Sequence, residues 1–312
     1  MSGAPTKVTI SMALIPPKMT FIGFYVAKDE GFFKKEGLDM DFVPENNGVP
    51  ATRALVAGSV DMSATSADDV IAAAAAGGKV HAIWGYAMPL DTTIIADQSV
   101  KTAADLKGKN LGITDPGGFA DTQMRAVLAQ ANVPASETHI ISMASRSAFV
   151  PGLITGNLNA ASFHVDDGLV VMRKDPKLHT IASMYKVLPY WWYGAVATSD
   201  SWNQSHAGVI ERFITAMDEA DRWIYSHRAQ TIAIGVKETQ EPEYAVAGAY
   251  DFLAKAEEWT TNTGLEENRI NETMAYEHKI GIVNRQPTYS QAAIPTYANA
   301  VVAKIGTWKT GY

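Results

Sequence analysis

A stretch of this chain recurs at a fixed distance, and that repeat constrains the architecture more than any other feature. Gly58, Asp61 and Asp68 return as Gly156, Asn159 and Asp166, always 98 residues on (58 to 156, 61 to 159, 68 to 166). Each copy reads alike. A helix ends at glycine, a short step reaches Asp or Asn, a small apolar strand follows, and a helix opens near paired aspartates. Two similar units of this size predict two lobes, and a gap between lobes is where small ligands bind.

Alternating strand and helix patterns give an α/β class. Strands are expected at Lys7–Ala13, Leu38–Val43, Val80–Trp84, Asn110–Thr114, His139–Met143, Thr180–Tyr185 and Tyr193–Thr198. Helices are expected at Phe21–Phe33, Ala51–Ala57, 67–76, Ala120–Ala131, Ala148–Thr155, Ser205–Ser226 and Pro242–Lys255. The order restarts near residue 98, so residues 1–97 with 199–312 are expected to form a first lobe and 98–198 an inserted second lobe. The chain would then cross twice, near Ile94–Asp97 and Gly194–Thr198, and paired crossings act as a hinge.

Composition narrows the function. A net charge of −7, with no basic run longer than Lys34-Lys35, argues against a nucleic-acid partner. The absence of cysteine removes thiol nucleophiles, disulfides and Cys-ligated metals. No His pair has helical metal-ligand spacing, so neither a metal nor a cofactor is expected. The alanine-rich run 70–78 is too short to span a bilayer. Met1–Ala4 reads as a trimmed start, and an export signal removed from it would place the protein in the periplasm or another extracytoplasmic space.

Gly23–Asp39 resembles the first helix of type 2 periplasmic solute-binding proteins of ABC importers. Gly58–Asp61 and Ala104–Lys109 are similar to other recurrent segments of the branch that serves alkanesulfonates, taurine, nitrate and thiamine-precursor pyrimidines. The resemblance spans roughly residues 7–230. It implies a Venus-flytrap of two lobes closing over one small-molecule ligand, an ABC permease as partner, and a monomer.

Ligands of α/β lobes sit beyond the carboxyl ends of strands, where helices begin. Thr20 and Phe21 meet that description after the first strand, as do Thr65 and Ser66 in the first copy of the repeat and His164 and Asp166 in the second. Gly117, Gly118, Phe119 and Asp121 open a helix whose free amides favour an anionic group. Relatives that take sulfonates carry Ser/Thr-rich or His-bearing sequence at that loop, so Phe119 and Asp121 argue against a sulfonate, taurine or nitrate ligand. Trp84 lies near the first crossing and Tyr190–Tyr193 beside the second; alternation sends Tyr190 and Trp192 to one face, expected to be the ligand's. For each polar residue the competing reading is structural, as a helix cap or a satisfied core group. The expected function is capture, without catalysis, of a small organic solute with an aromatic or heteroaromatic part and an anionic group. The alternative is a single-substrate enzyme of dehydratase or lyase type, with Asp68 or Asp166 as a base.

Overall fold

The computed structural model describes residues 4–143 and 145–311. Its strands are β1 (Thr6–Met12), β2 (Leu38–Pro44), β3 (Met62–Ser66), β4 (Val80–Ala87) and β5 (Thr93–Ala96), then β6 (Asn110–Ile113), β7 (His139–Ser142), β8 (Ala160–Phe163), β9 (His179–Ser183) and β10 (Gly194–Ser199). They form two five-stranded sheets, ordered β2-β1-β3-β10-β4 and β7-β6-β8-β5-β9. The two orders match by role. A parallel pair flanks the central strand, β3 or β8, on one side. An antiparallel strand from the other half of the chain flanks it on the other side.

The repeat occupies the same place in both lobes. Gly58 and Gly156 follow helices Gly48–Val56 and Phe149–Ile154 with φ of 71° and 74°, a left-handed turn that glycine makes without strain. Three residues on, Asp61 accepts the Thr9 amide and hydroxyl at 2.8 Å each, tying the entry of β3 to β1. Asn159 repeats the tie in the second lobe, accepting the Asn110 amide at 2.9 Å and donating to Asp97 at 2.7 Å.

Sheet membership corrects the expected lobe boundaries. Residues 93–96, read as a crossing, form β5, which pairs with β8 and β9 of the second sheet. Residues 194–199 pair with β3 and β4 of the first. The chain therefore passes between sheets at 88–92 and 188–193. A four-residue apolar strand carries no mark of which sheet it joins, because its partners lie far away in sequence.

The C-terminal region also differs from expectation, since it rests on both lobes. Helix Ala207–Ile224 packs on helix Ile22–Asp29 over the first sheet. Helix Glu243–Lys255 packs on helix Val165–Lys174 of the second lobe, where Arg173 lies 4.2 Å over the Tyr244 ring and Tyr185 meets Phe252 edge-on. The helix expected at Ser205–Ser226 is Ala207–Ile224, and a short helix, Asp200–Ser205, precedes it across His206.

A Cβ built on Gly58 or Gly156 would touch nothing within 4 Å, so only backbone strain separates alanine from glycine there. Gly58→Ala and Gly156→Ala are each expected to destabilise the fold by about 1 kcal/mol. Urea midpoints would check this; clearly unequal losses would show that the two sites are not equivalent.

Candidate functional site

The carboxyl ends of β3 and β8 face a shared cavity. Ser66 ends β3 and His164 follows β8, and each precedes a helix, Ala67–Ala75 and Val165–Lys174. The two residues are equivalent in the repeat (66 to 164). Both line the cavity.

Aromatic rings form much of its wall. From the first lobe Phe21 and Tyr86 pack at 5.1 Å between centroids, and Tyr86 donates its hydroxyl to the Thr65 carbonyl at 3.1 Å. The Tyr86 ring lies so close to β10 that a Cβ on Gly194 would come within 2.5 Å of it, so glycine is required there. From the other side Phe119 stacks on Tyr193 at 5.0 Å and 13°. These four rings line the cavity with Leu14 and Val49.

Asp69, His164 and Arg146 stand among them. Asp69 takes the hydroxyls of Thr65 and Ser66 on one oxygen, Oδ2, each at 2.7 Å. Burial raises the Asp69 carboxyl above the ordinary range, against the pull of those two hydroxyls. His164, 1% exposed, sets Nδ1 2.9 Å from Asp91 Oδ2 and leaves Nε2 without a partner among the described residues. Arg146 donates Nη2 to the Ser162 carbonyl at 2.8 Å and makes no ion pair among the described residues. Burial lowers its pKa, while Asp167, Tyr193, Asp91 and Asp166 oppose that shift.

Polar bridges hold the lobes together beside the cavity. Lys18 reaches Asp167 at 2.7 Å and Glu241 at 3.1 Å, and the Met19 amide donates to Asp166 at 3.0 Å. Burial raises the Asp166 carboxyl to about 6, while nearby Lys18 opposes the shift.

Comparison with known proteins fits this geometry. The profile described as NMT1/THI5 like matches residues 18–231, more than half of the chain. The chain belongs to the NMT1/THI5-like family. A Brucella abortus (strain 2308) protein named "Putative binding protein" is 24% identical over 231 residues, covering 72% of this chain and 71% of its own. The alkanesulfonate-binding protein SsuA of Xanthomonas axonopodis pv. citri, solved with MOPS, superposes with a TM-score of 0.78 at 15% identity, over 94% of this chain and 100% of that one. The nitrate-binding protein NrtA of Synechocystis PCC 6803 gives a TM-score of 0.78 at 13% identity, over 97% and 89%. The fold of this NMT1/THI5-like chain is thus the two-lobed periplasmic-binding-protein fold.

Of the residues singled out in the sequence, Phe21, Ser66, Gly118, Phe119 and His164 line the cavity. Thr65 and Gly117 stand just behind it. The first supports Asp69 through its hydroxyl, and the second, at φ 76°, donates its amide to Asp121. The others belong elsewhere. Thr20 neither caps a helix nor faces the cavity; its hydroxyl donates to Glu258 at 2.6 Å. Asp121 is spent on the Gly117 amide and Arg125, which steadies the loop rather than a ligand. Asp166 joins the lobes at Met19. Trp84 is wholly buried in the core and donates to Asp218 at 3.1 Å, whereas Tyr86, two residues on, reaches the cavity. The aromatic run is turned the other way from the expected face: Tyr190 is 68% exposed, Trp192 lies in the core, and Tyr193 faces the cavity. Alternation separates two faces but does not say which is inward.

Asp69, Arg146 and Tyr193 went unselected as contacts. Asp69 was visible only as half of a repeated Asp-Asp pair, and Arg146 sits in a polar segment without local signal. Asp68, considered as a cap or a base, is fully buried against Glu277 instead.

The buried acids make stability depend on pH. Burial pushes Asp68 up to about 7 and Asp218 up to about 8, from the ordinary value near 4. The folded chain holds protons that the unfolded chain has released, so this stabilisation is full in acid and is lost as pH climbs through 7 to 8. The melting temperature is expected to fall between about pH 5 and pH 8, and less steeply in Asp218→Asn. A melting temperature that rises across that interval would contradict the assignment.

Proposed function

We propose that this chain is the solute-binding component of an ABC importer, working outside the cytoplasm as a monomer and passing one small organic molecule to a membrane permease. The observation that carries the reading is the cavity between the sheets, walled by Phe21, Tyr86, Phe119 and Tyr193 and furnished with Asp69, His164 and Arg146. Rings of this kind accept a flat aromatic or heteroaromatic solute by stacking. The guanidinium nitrogens of Arg146 that have no partner among the described residues offer donors to an anionic or acceptor group, a role first expected of the Gly117-Gly118 loop. The chain crosses between sheets at 88–92 and 188–193 beside this cavity, which suits opening and closing about a hinge.

Native mass spectrometry and thermal-shift screening against planar organic acids and heteroaromatics test the reading. One solute is expected to bind stoichiometrically, raise the melting temperature and be recovered unchanged. Recovery of a converted product would favour the enzyme alternative instead. Tyr193→Ala and Phe119→Ala are expected to weaken that solute by about tenfold or more with the fold retained. Trp192→Ala should instead destabilise the whole chain by about 3–5 kcal/mol, because its indole fills core space. Equal affinity in the wild type and the two cavity variants would remove the aromatic wall from the site.

A further inference from the structure

We infer that His164 is a fixed hydrogen-bond acceptor for the solute, so that the cavity selects a planar molecule carrying an N–H or O–H donor on the edge that meets the second lobe. The inference rests on the solute-binding reading and deepens it.

The tautomer follows from the partners. Nδ1 lies 2.9 and 3.1 Å from the two oxygens of Asp91, and an ionised carboxylate only accepts. Tyr193 donates its hydroxyl to Asp91 Oδ1 at 2.9 Å, so the same carboxylate also holds the cavity-wall ring. When the imidazole carries one proton, this geometry puts it on Nδ1, and Nε2 keeps a lone pair. That atom is buried, belongs to a cavity-lining side chain, and has no partner among the described residues. A buried acceptor left unpaired is unfavourable, and a donor on the solute would relieve it.

The repeat sharpens the contrast. Ser66, the equivalent residue in the first lobe, has its hydroxyl committed to Asp69. Only the second copy places an uncommitted nitrogen at this point. Asp91, from the first segment that joins the sheets, is a positioning residue that acts through His164, while Tyr193, from the second, both donates to Asp91 and walls the cavity.

Benzimidazole and 1-methylbenzimidazole are suitable probes, alike in ring shape but differing in the N–H donor. Calorimetry is expected to show the wild type preferring benzimidazole by about tenfold. In His164→Phe, which keeps a ring but no acceptor, the ratio should fall to about one. A ratio near one in the wild type, or one preserved in His164→Phe, overturns the inference while leaving a solute site. Failure of both probes to bind the wild type would overturn this inference, while the solute reading would stand or fall on the screen of planar acids and heteroaromatics. Nitrogen-15 shifts of His164 give a readout that a purely structural role would not move. They should show protonated Nδ1 and bare Nε2 in the wild type, and a mixture in Asp91→Asn. A wild-type signal from the opposite tautomer or from the imidazolium would overturn the proposal even if His164→Phe failed to fold.

Discussion

The carboxylate of Asp91 is the point at which this molecule is joined. It lies in the first segment between the sheets, receives the Tyr193 hydroxyl from the second, and orients His164 at the start of a second-lobe helix. One buried side chain thus links both connections to the cavity wall. Removing a buried acceptor of this kind leaves its donors unpaired in a low-dielectric interior, which is more damaging than the loss of any one hydrogen bond. The stacking of Phe119 on Tyr193 and the orientation of His164 both depend on it.

Around that point the interior is unusually acidic. Asp68 and Glu277 are buried together, Asp218 and Asp221 lie near one another under Trp84, and Glu258 holds Thr20. Burial raises each of these carboxyls, so protons rather than cations neutralise much of the buried charge. Lys18 is the counterexample. Burial alone would lower it, but Asp167, Asp166 and Glu241 outweigh that effect and keep its ammonium charged at the bridge between lobes. The Lys18 bridge is thus a charged contact placed where the lobes meet.

Much of the fold was legible because its signals are local. Glycine at a helix end, alternation along Leu38–Val43 and the Asp or Asn after Gly58 and Gly156 work through neighbours within a few residues. The exceptions were elements whose identity depends on a distant partner. β5 looks like a connection until β8 and β9 pair with it, and helix Glu243–Lys255 looks like part of the first lobe until it meets helix Val165–Lys174. The site was legible in part. Ser66 and His164 follow from the repeat and from the rule that ligands lie beyond strand ends. Trp84 and Trp192 were misplaced because large aromatics suit a core as well as a cleft.

The sequence by itself determined the two-lobed α/β plan, the equivalence of the repeated units and the positions where helices open toward a shared gap. Those properties come from periodicity and backbone conformation, which each segment carries alone. The tertiary structure decided which aromatic faces point inward, which acids are spent internally, and which nitrogen is left unpaired. These depend on side chains far apart in sequence converging on Asp91 and Asp69, a convergence no local pattern records.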